Sequence, residues 1–290
     1  MLIYKSPAKI NLTLEILNRR KNGYHNISTI IQSINMFDLI TYEHYKEILV
    51  SSNIKELNSE TNLVIKAAKL IKNKFKINHG IKINLTKNIP LASGLGGGSS
   101  NAATTLLALN TIWGLNLNLS KLVPLAESLG SDVPFFLSKG TALISGSGGQ
   151  IEQLPDIEPM LFLLLHNDIK FPNKTHSMYK SVSLGEYTNG ELTNKLAAMI
   201  KTSGQVTAIN LFNCFDKIAM KKSSEFNKYS KLLSELGLNE YHLAGSGPTI
   251  MLPIDTRTKG EKIRFKLWDQ YSIKSTIIQS TSSVQNNYVI

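Results

Sequence analysis

Four glycines fall within five positions at Gly94-Leu95-Gly96-Gly97-Gly98, and Ser99 and Ser100 follow directly. Such a run gives up side-chain bulk and backbone stiffness at an entropic cost. It suits a place where backbone N–H groups must come close to a partner. The next stretch, Asn101 to about Ile112, spaces Ala102, Ala103, Leu106, Leu107 and Leu109 as a packing helix would. Donors at a helix N-terminus, together with the positive end of the helix dipole, make an anion site. The plainer alternative is a tight strand-to-helix turn, for which one or two glycines would suffice. Two common phosphate loops fit badly. A Walker A loop ends in Gly-Lys-Ser/Thr, and no Lys follows these glycines. A dinucleotide fingerprint needs Gly or Ala where Ser99 stands, and an acid about twenty residues on, whereas Trp113 to Lys121 holds none.

Other chemistry is sparse. His44, His79, His166, His176 and His242 show no metal-ligand spacing, so no structural zinc is expected. Cys214 is the only cysteine, which excludes an internal disulfide and fits a reducing compartment. It is read as a core residue on an apolar helix face with Leu211 and Phe215.

The elements that must position the glycine loop can be read from periodicity. Strands are expected at Ile3–Ser6, Ile10–Ile16, Ile27–Ile34, Asp38–Tyr42 and Ile81–Leu85. In the second of these, Ile10, Leu12, Leu14 and Ile16 alternate onto one face, leaving Lys9 and Asn11 on the other. Asn22-Gly23 marks a turn. Helices are expected from a Thr61 cap through Phe75, and from a Ser120 cap to Leu129, where Gly130 stops it. Thr141–Ser145 is a strand before a Gly-rich turn. The second half reads strand (Met160–Leu165, fully buried), helices (about 191–201, 205–220 and 223–236), strands (Tyr241–Leu243 and Thr249–Pro253), helix (about 258–270) and strand (Ser275–Gln279). The elements lack a regular βαβ rhythm, which points to two α+β domains, residues 1–155 and 156–290.

The 290 residues are 42% hydrophobic, enough for a full core and too many for a disordered chain. Net charge is +11, from 32 Lys+Arg against 21 Asp+Glu. Such a charge suits nucleic acid or an anionic small molecule. The lysines are scattered with no run longer than two, and Arg is scarce, so a compositional origin is favoured and no nucleic-acid partner is expected. The first residues lack a basic segment followed by an apolar stretch and cleavage site, and no run approaches the ~20 apolar residues of a membrane span. A cytoplasmic protein without a membrane partner is expected.

Pro90 to Ser100, opening a helix, resembles the phosphate-binding motif of the GHMP small-molecule kinases, and Gly245-Ser246-Gly247-Pro248-Thr249 resembles that family's C-terminal glycine motif. Three further segments are similar to members whose acceptor is a cytidyl-diphosphate sugar alcohol: Ser6-Pro7-Ala8-Lys9-Ile10-Asn11-Leu12, Asn22-Gly23-Tyr24-His25 and Gly130-Ser131-Asp132-Val133-Pro134-Phe135-Phe136. The motifs run in the expected order from residue 4 to about 250. The resemblance implies transfer of the ATP γ-phosphate to the 2-hydroxyl of a methylerythritol unit. It also implies an α+β GHMP kinase architecture, with a ribosomal S5 domain 2-like N-terminal domain and a ferredoxin-like C-terminal domain, in a monomer or homodimer. Mg²⁺ would arrive with ATP and keep several waters, with Ser99 or Ser100 the only candidate protein ligands.

The resemblance also implies roles. Pro90, Leu91, Ala92, Ser93, Gly94, Leu95, Gly96, Gly97, Gly98, Ser99 and Ser100 would hold the nucleotide. Asp132 would take or orient the proton of the acceptor hydroxyl; as a plain sequence feature it is equally a turn residue. Lys9 would pair with Asp132 and stabilise negative charge, where a strand lysine is ordinarily solvated. Asn11 would contact substrate from the Lys9 face. Tyr24 and His25 would read cytosine by stacking and hydrogen bonding. Thr175 and Tyr179 would complete that site, although residues 167–174 depart from the family's small-residue and Pro pattern, and Phe171 is an alternative to Tyr179. Gly245 and Ser246 would form a second N–H nest. Another GHMP kinase, such as a homoserine or mevalonate kinase, is disfavoured by the Gly-Tyr-His and Gly-Ser-Asp-Val-Pro-Phe-Phe segments.

Overall fold

The computed structural model describes residues 1–166 and 174–283. The chain begins with two long antiparallel strands, β1 (Leu2–Arg19) and β2 (His25–Tyr45), joined across the Asn22-Gly23 turn. They replace the four short strands expected over residues 3–42. The apparent interruptions are register shifts within continuous strands, at Pro7/Ala8, Asn11/Thr13 and Ile16/Asn18. The shift at Leu12 overturns one expectation. A one-residue bulge turns the following side chains to the opposite face. Ile10 and Leu12 therefore pack in one apolar cluster, and Leu14 and Ile16 in another.

The chain continues through β3 (Ile48–Ser52), α1 (Leu63–Lys74), β4 (Gly80–Thr86), α2 (Gly97–Ile112), α3 (Leu119–Leu129), α4 (Phe135–Ser138), β5 (Thr141–Gly146) and β6 (Gln150–Leu154). It then runs through β7 (Leu161–His166), α5 (Lys174–Lys180), α6 (Glu191–Ser203), β8 (Phe212–Asn213), α7 (Phe215–Lys222), α8 (Ser224–Glu235), β9 (His242–Leu243), β10 (Ile250–Ile254), α9 (Arg257–Tyr271) and β11 (Lys274–Gln279). Among the described residues the strands form a seven-stranded sheet built on β1 and β2, and a four-stranded sheet in the order β11-β7-β10-β9. The fold is α+β.

Asparagines set two helix starts that the sequence reading placed on hydroxyl residues. Asn62, not Thr61, caps α1 by accepting from the Val64 N–H at 2.9 Å. Asn118, not Ser120, caps α3, while Ser120 Oγ donates back to it at 2.7 Å. The helix expected over 205–220 is a short 3-10 turn, then β8, then α7. Cys214 stands at the N-cap of α7 instead of on a helix face, and is buried as expected.

Three apolar clusters organise the interior. The first lies between the large sheet and α1 to α4. The second packs Ile10, Leu12, Ile30 and Ile34 against Phe162, Leu164, Met251 and Ile278 of the small sheet, closed by α6. The third packs Leu163, Leu165 and Leu252 against α7, α8 and α9. Both faces of β7 are thus covered, which is why its sequence is an unbroken apolar run. At about 25 cal/mol per Å² of apolar surface, this double burial makes β7 a main stabiliser of the second half. No helix among the described residues is long and apolar enough to cross a membrane.

Candidate active site

A cavity of about 920 Å³ opens between the glycine loop, the middle of the β1–β2 pair, the loop after α3, α5 and the loop after β9. Its floor is the Lys9 face of β1. Lys9 is 5% exposed, and its ammonium donates to Asn11 Oδ1 at 2.8 Å. Asn11 Nδ2 in turn donates to Thr29 Oγ1 at 2.8 Å, which fixes the amide orientation. Lys9 Nζ lies 3.9 Å from Asp132 Oδ2. Burial pushes the Lys9 ammonium below the usual lysine range, and the Asp132 charge pulls part of that shift back. Asp132 is placed by the stop of α3 at Gly130, followed by a turn in which the Val133 N–H returns to the Gly130 carbonyl at 3.2 Å. Phe135 and Phe136, fully buried, anchor the other side of that turn.

The glycine loop crosses the same floor. The Lys9 N–H donates to the Leu95 carbonyl at 2.9 Å, and Leu95 is buried in the core beneath. Gly96, in the left-handed region at φ 72°, is the N-cap of α2 and offers no side-chain acceptor, so among the described residues the first N–H groups of α2 have no intrahelical or side-chain capping partner. The helix begins at Gly97, earlier than the Asn101 start expected from apolar spacing.

The four glycines have different reasons. A Cβ on Gly94 would lie 2.0 Å from the Ala244 carbonyl oxygen, and one on Gly96 would lie 2.9 Å from Phe136 Cζ and 3.0 Å from Lys9 Cγ. One on Gly97 would lie 3.0 Å from Lys87 Nζ and Ile89 Cγ2. Packing accounts for those three. Gly98 is exposed, and its missing Cβ meets nothing nearer than Leu63 Cδ1 at 3.8 Å. Its open side fits the close approach of a bound group to the first turn of α2.

The second glycine motif docks onto the first. The Thr249 N–H donates to the Ser93 carbonyl at 3.3 Å. A Cβ on Gly245 would lie 3.2 Å from Lys9 Nζ and 3.4 Å from Asn11 Oδ1, so this loop roofs the lysine. Asn213, which the sequence reading missed, holds that roof by donating to the Leu243 carbonyl at 2.8 Å and the Gly245 carbonyl at 2.7 Å. Ser246 reaches α5, its hydroxyl 3.2 Å from Thr175 Oγ1.

The opposite end is aromatic. His25 stacks on Tyr179 at 5.5 Å between ring centroids, and Tyr179 meets Phe215 edge-on at 5.0 Å. Tyr187 flanks His25 at 6.1 Å. Burial and the nearby Arg19 charge both hold the His25 imidazolium below the usual histidine range, favouring the neutral ring. Tyr24 is 69% exposed at the mouth.

The fold therefore brings Lys9, Asn11, Tyr24, His25, Asp132, Thr175, Tyr179, Gly245 and Ser246 to one cavity, with Gly94, Gly96 and Ser99. It turns others away. Ser100 is fully buried, its hydroxyl 2.8 Å from Ser6 Oγ, so of the two serines only Ser99 faces the cavity. Ser93 Oγ donates to the Pro90 carbonyl at 2.7 Å and shapes the loop, while Leu91 is exposed outside the lining and Ala92 adopts a left-handed φ of 51°. Phe171 lies outside the described residues. Arg19, Tyr187 and Phe215 had no signal of their own in the sequence: Arg19 is one basic residue among three before a turn, Phe215 shares an apolar helix face with Leu211, and no motif or periodicity marks Tyr187.

Residues 62–140 match the family described as GHMP kinases N terminal domain. A 4-diphosphocytidyl-2-C-methyl-D-erythritol kinase of Dehalococcoides mccartyi is 37% identical over 92% of this chain and 94% of its own. The chain belongs to the GHMP kinases, in their 4-diphosphocytidyl-2-C-methyl-D-erythritol kinase branch. A kinase of the same name from Caldanaerobacter subterraneus subsp. tengcongensis is 37% identical over 85% of each chain. A crystal structure of 4-(cytidine 5'-diphospho)-2C-methyl-D-erythritol kinase superposes with a TM-score of 0.80 at 25% identity, covering 97% of this chain and 99% of that one. The two-domain GHMP kinase architecture is thereby shown, and the chain is a small-molecule kinase.

Proposed function

We propose that this kinase transfers the γ-phosphate of ATP to the 2-hydroxyl of 4-diphosphocytidyl-2-C-methyl-D-erythritol, giving the 2-phosphate and ADP, as a cytoplasmic step of isoprenoid precursor synthesis. The observation that carries this reading is the Lys9–Asp132 pair, set in one cavity with an uncapped glycine-rich helix start and the His25–Tyr179 stack.

Each group has a task its position suits. The first-turn N–H groups of α2 and the Ser99 hydroxyl hold the nucleotide phosphates. Asp132 orients the acceptor hydroxyl and receives its proton as the oxygen attacks phosphorus. Lys9, buried and already bonded to Asn11, balances the charge that develops on the acceptor oxygen. Neutral His25 can both donate and accept, which matches the mixed edge of cytosine, and Tyr24 and Tyr179 supply faces for stacking. Mg²⁺, carried in with ATP, would neutralise phosphate charge, with Ser99 as its protein contact. Residues 1–155 supply the phosphate loop and the Lys9–Asp132 pair; residues 156–290 supply Thr175, Tyr179, Gly245 and Ser246.

The test is ADP release with Mg-ATP, comparing 4-diphosphocytidyl-2-C-methyl-D-erythritol with homoserine, mevalonate and no acceptor. Turnover confined to the cytidyl substrate, and lost in Asp132→Ala, is the expected result. Turnover with homoserine or mevalonate instead would sink the cytosine site.

A further inference from the structure

Behind the glycine loop, outside the cavity lining, lies a buried polar cluster that the chemistry above does not use. Its centre is Asp38 on β2, whose side chain is 0% exposed. Asp38 Oδ1 accepts from the Asn88 and Ile89 N–H groups, both at 2.8 Å. Its Oδ2 accepts from the Lys87 ammonium and from Asn101 Nδ2, the latter at 2.8 Å. Lys87 Nζ also donates to Asn101 Oδ1 at 3.0 Å, and Asn101 Nδ2 reaches Ser6 Oγ at 2.9 Å.

Residues 87–89 enter the glycine loop, and Asn101 lies in the second turn of the helix that leaves it. One carboxylate thus grips both flanks. The loop is tightly packed on this side: a Cβ on Gly97, the first residue of α2, would lie 3.0 Å from both Lys87 Nζ and Ile89 Cγ2, closer than ordinary van der Waals contact. A buried ion pair of this kind is a poor source of net stability, since desolvation offsets the attraction. Its two charges also cancel, so it adds little field to the anion site. What it supplies is position.

We infer that Asp38 is a positioning residue for phosphoryl transfer, clamping both flanks of the glycine loop through Lys87 and Asn101 and so setting the spacing of the N–H groups offered to the nucleotide phosphates. This rests on the reading of the loop as the ATP site. Phosphate contacts must be placed within about 0.5 Å to work well, which a loop of four glycines cannot secure by itself.

Two variants test it. Asp38→Asn keeps the shape and removes the charge; Asn101→Ala frees the α2 flank and leaves the ion pair intact. Each is expected to raise the KM for ATP about tenfold while the KM for the acceptor stays within twofold, and the double variant should be little worse than the worse single one. If Asp38→Asn does not fold, Asn101→Ala decides. Lower thermal stability with both KM values unmoved, or with both raised equally, would overturn the clamp. A wild-type protein that shows no ATP turnover with any acceptor would instead overturn the kinase reading on which the clamp depends.

Discussion

The ammonium of Lys9 and the carboxylate of Asp132 stand 3.9 Å apart, the lysine side chain 6% exposed and the aspartate 42%. Burial lowers the lysine's proton affinity, and the aspartate opposes this. Removing the aspartate charge leaves burial alone, so in Asp132→Asn the Lys9 ammonium should titrate lower still. Because the unfolded chain holds this proton more tightly, the group makes the fold more stable as pH rises from the folded value to the unfolded one. Carbon NMR of labelled lysine side chains checks the order. A Lys9 midpoint in Asp132→Asn equal to or above that of wild type would mean the two charges are not coupled.

Asp132→Asn should lower kcat by about 10²- to 10⁴-fold, the span expected for a positioned proton acceptor. Its partly exposed position limits any fall in melting temperature to the small share contributed by its attraction for the buried Lys9 ammonium. A loss of activity accompanied by an equal loss of folded protein would point to a turn-forming role instead.

The glycines predict opposite outcomes within one loop. Gly94→Ala would force a Cβ onto the Ala244 carbonyl at a φ of 88°, and should destabilise the fold and uncouple the two glycine loops. Gly98→Ala has space and helical geometry, so it should stabilise α2 by about 0.5–1 kcal/mol while weakening ATP binding. Thermal melts with calorimetric ATP titration separate the two. A Gly98→Ala variant that binds ATP as tightly as wild type would remove the phosphates from that face of α2.

Tyr24 is exposed and so can be removed without harm to the core. A stacked base is worth about 1–3 kcal/mol, so Tyr24→Ala should raise the acceptor KM by roughly 5- to 150-fold and leave the ATP KM alone. A normal acceptor KM would place the base wholly between His25 and the rings behind it.

The glycine loop was legible in the sequence because local composition carries it, four glycines before a helix. So was the buried strand at Leu161–His166, whose two covered faces leave no alternation to misread. The pairing of Lys9 with Asp132 was not visible in spacing, since 123 positions separate them, and only the family's motif order suggested it. The bulge at Leu12 was illegible because strict alternation looks the same whether or not a strand slips, and the consequence was a wrong face for Leu14. Asn213 and Phe215 read as a polar and an apolar residue of a helix. Their work depends on β8 ending where it does, which is decided by carbonyls about thirty residues away in and before the Gly245 loop.

The outer side of β1 is covered in pieces. Leu95 takes the Lys9 N–H, β8 runs parallel to Thr13 and Leu14, and the Cys214 and Thr188 N–H groups donate to the Leu14 and Ile16 carbonyls at 2.9 Å each. Three of those four patches come from beyond residue 155. A fragment ending there would present a long bare edge of a strongly apolar strand, ready to pair with its own copies. Such a fragment should be recovered as aggregate, and co-expression of the remaining chain should return it to solution, because the second half of the sequence is what keeps the first half from polymerising.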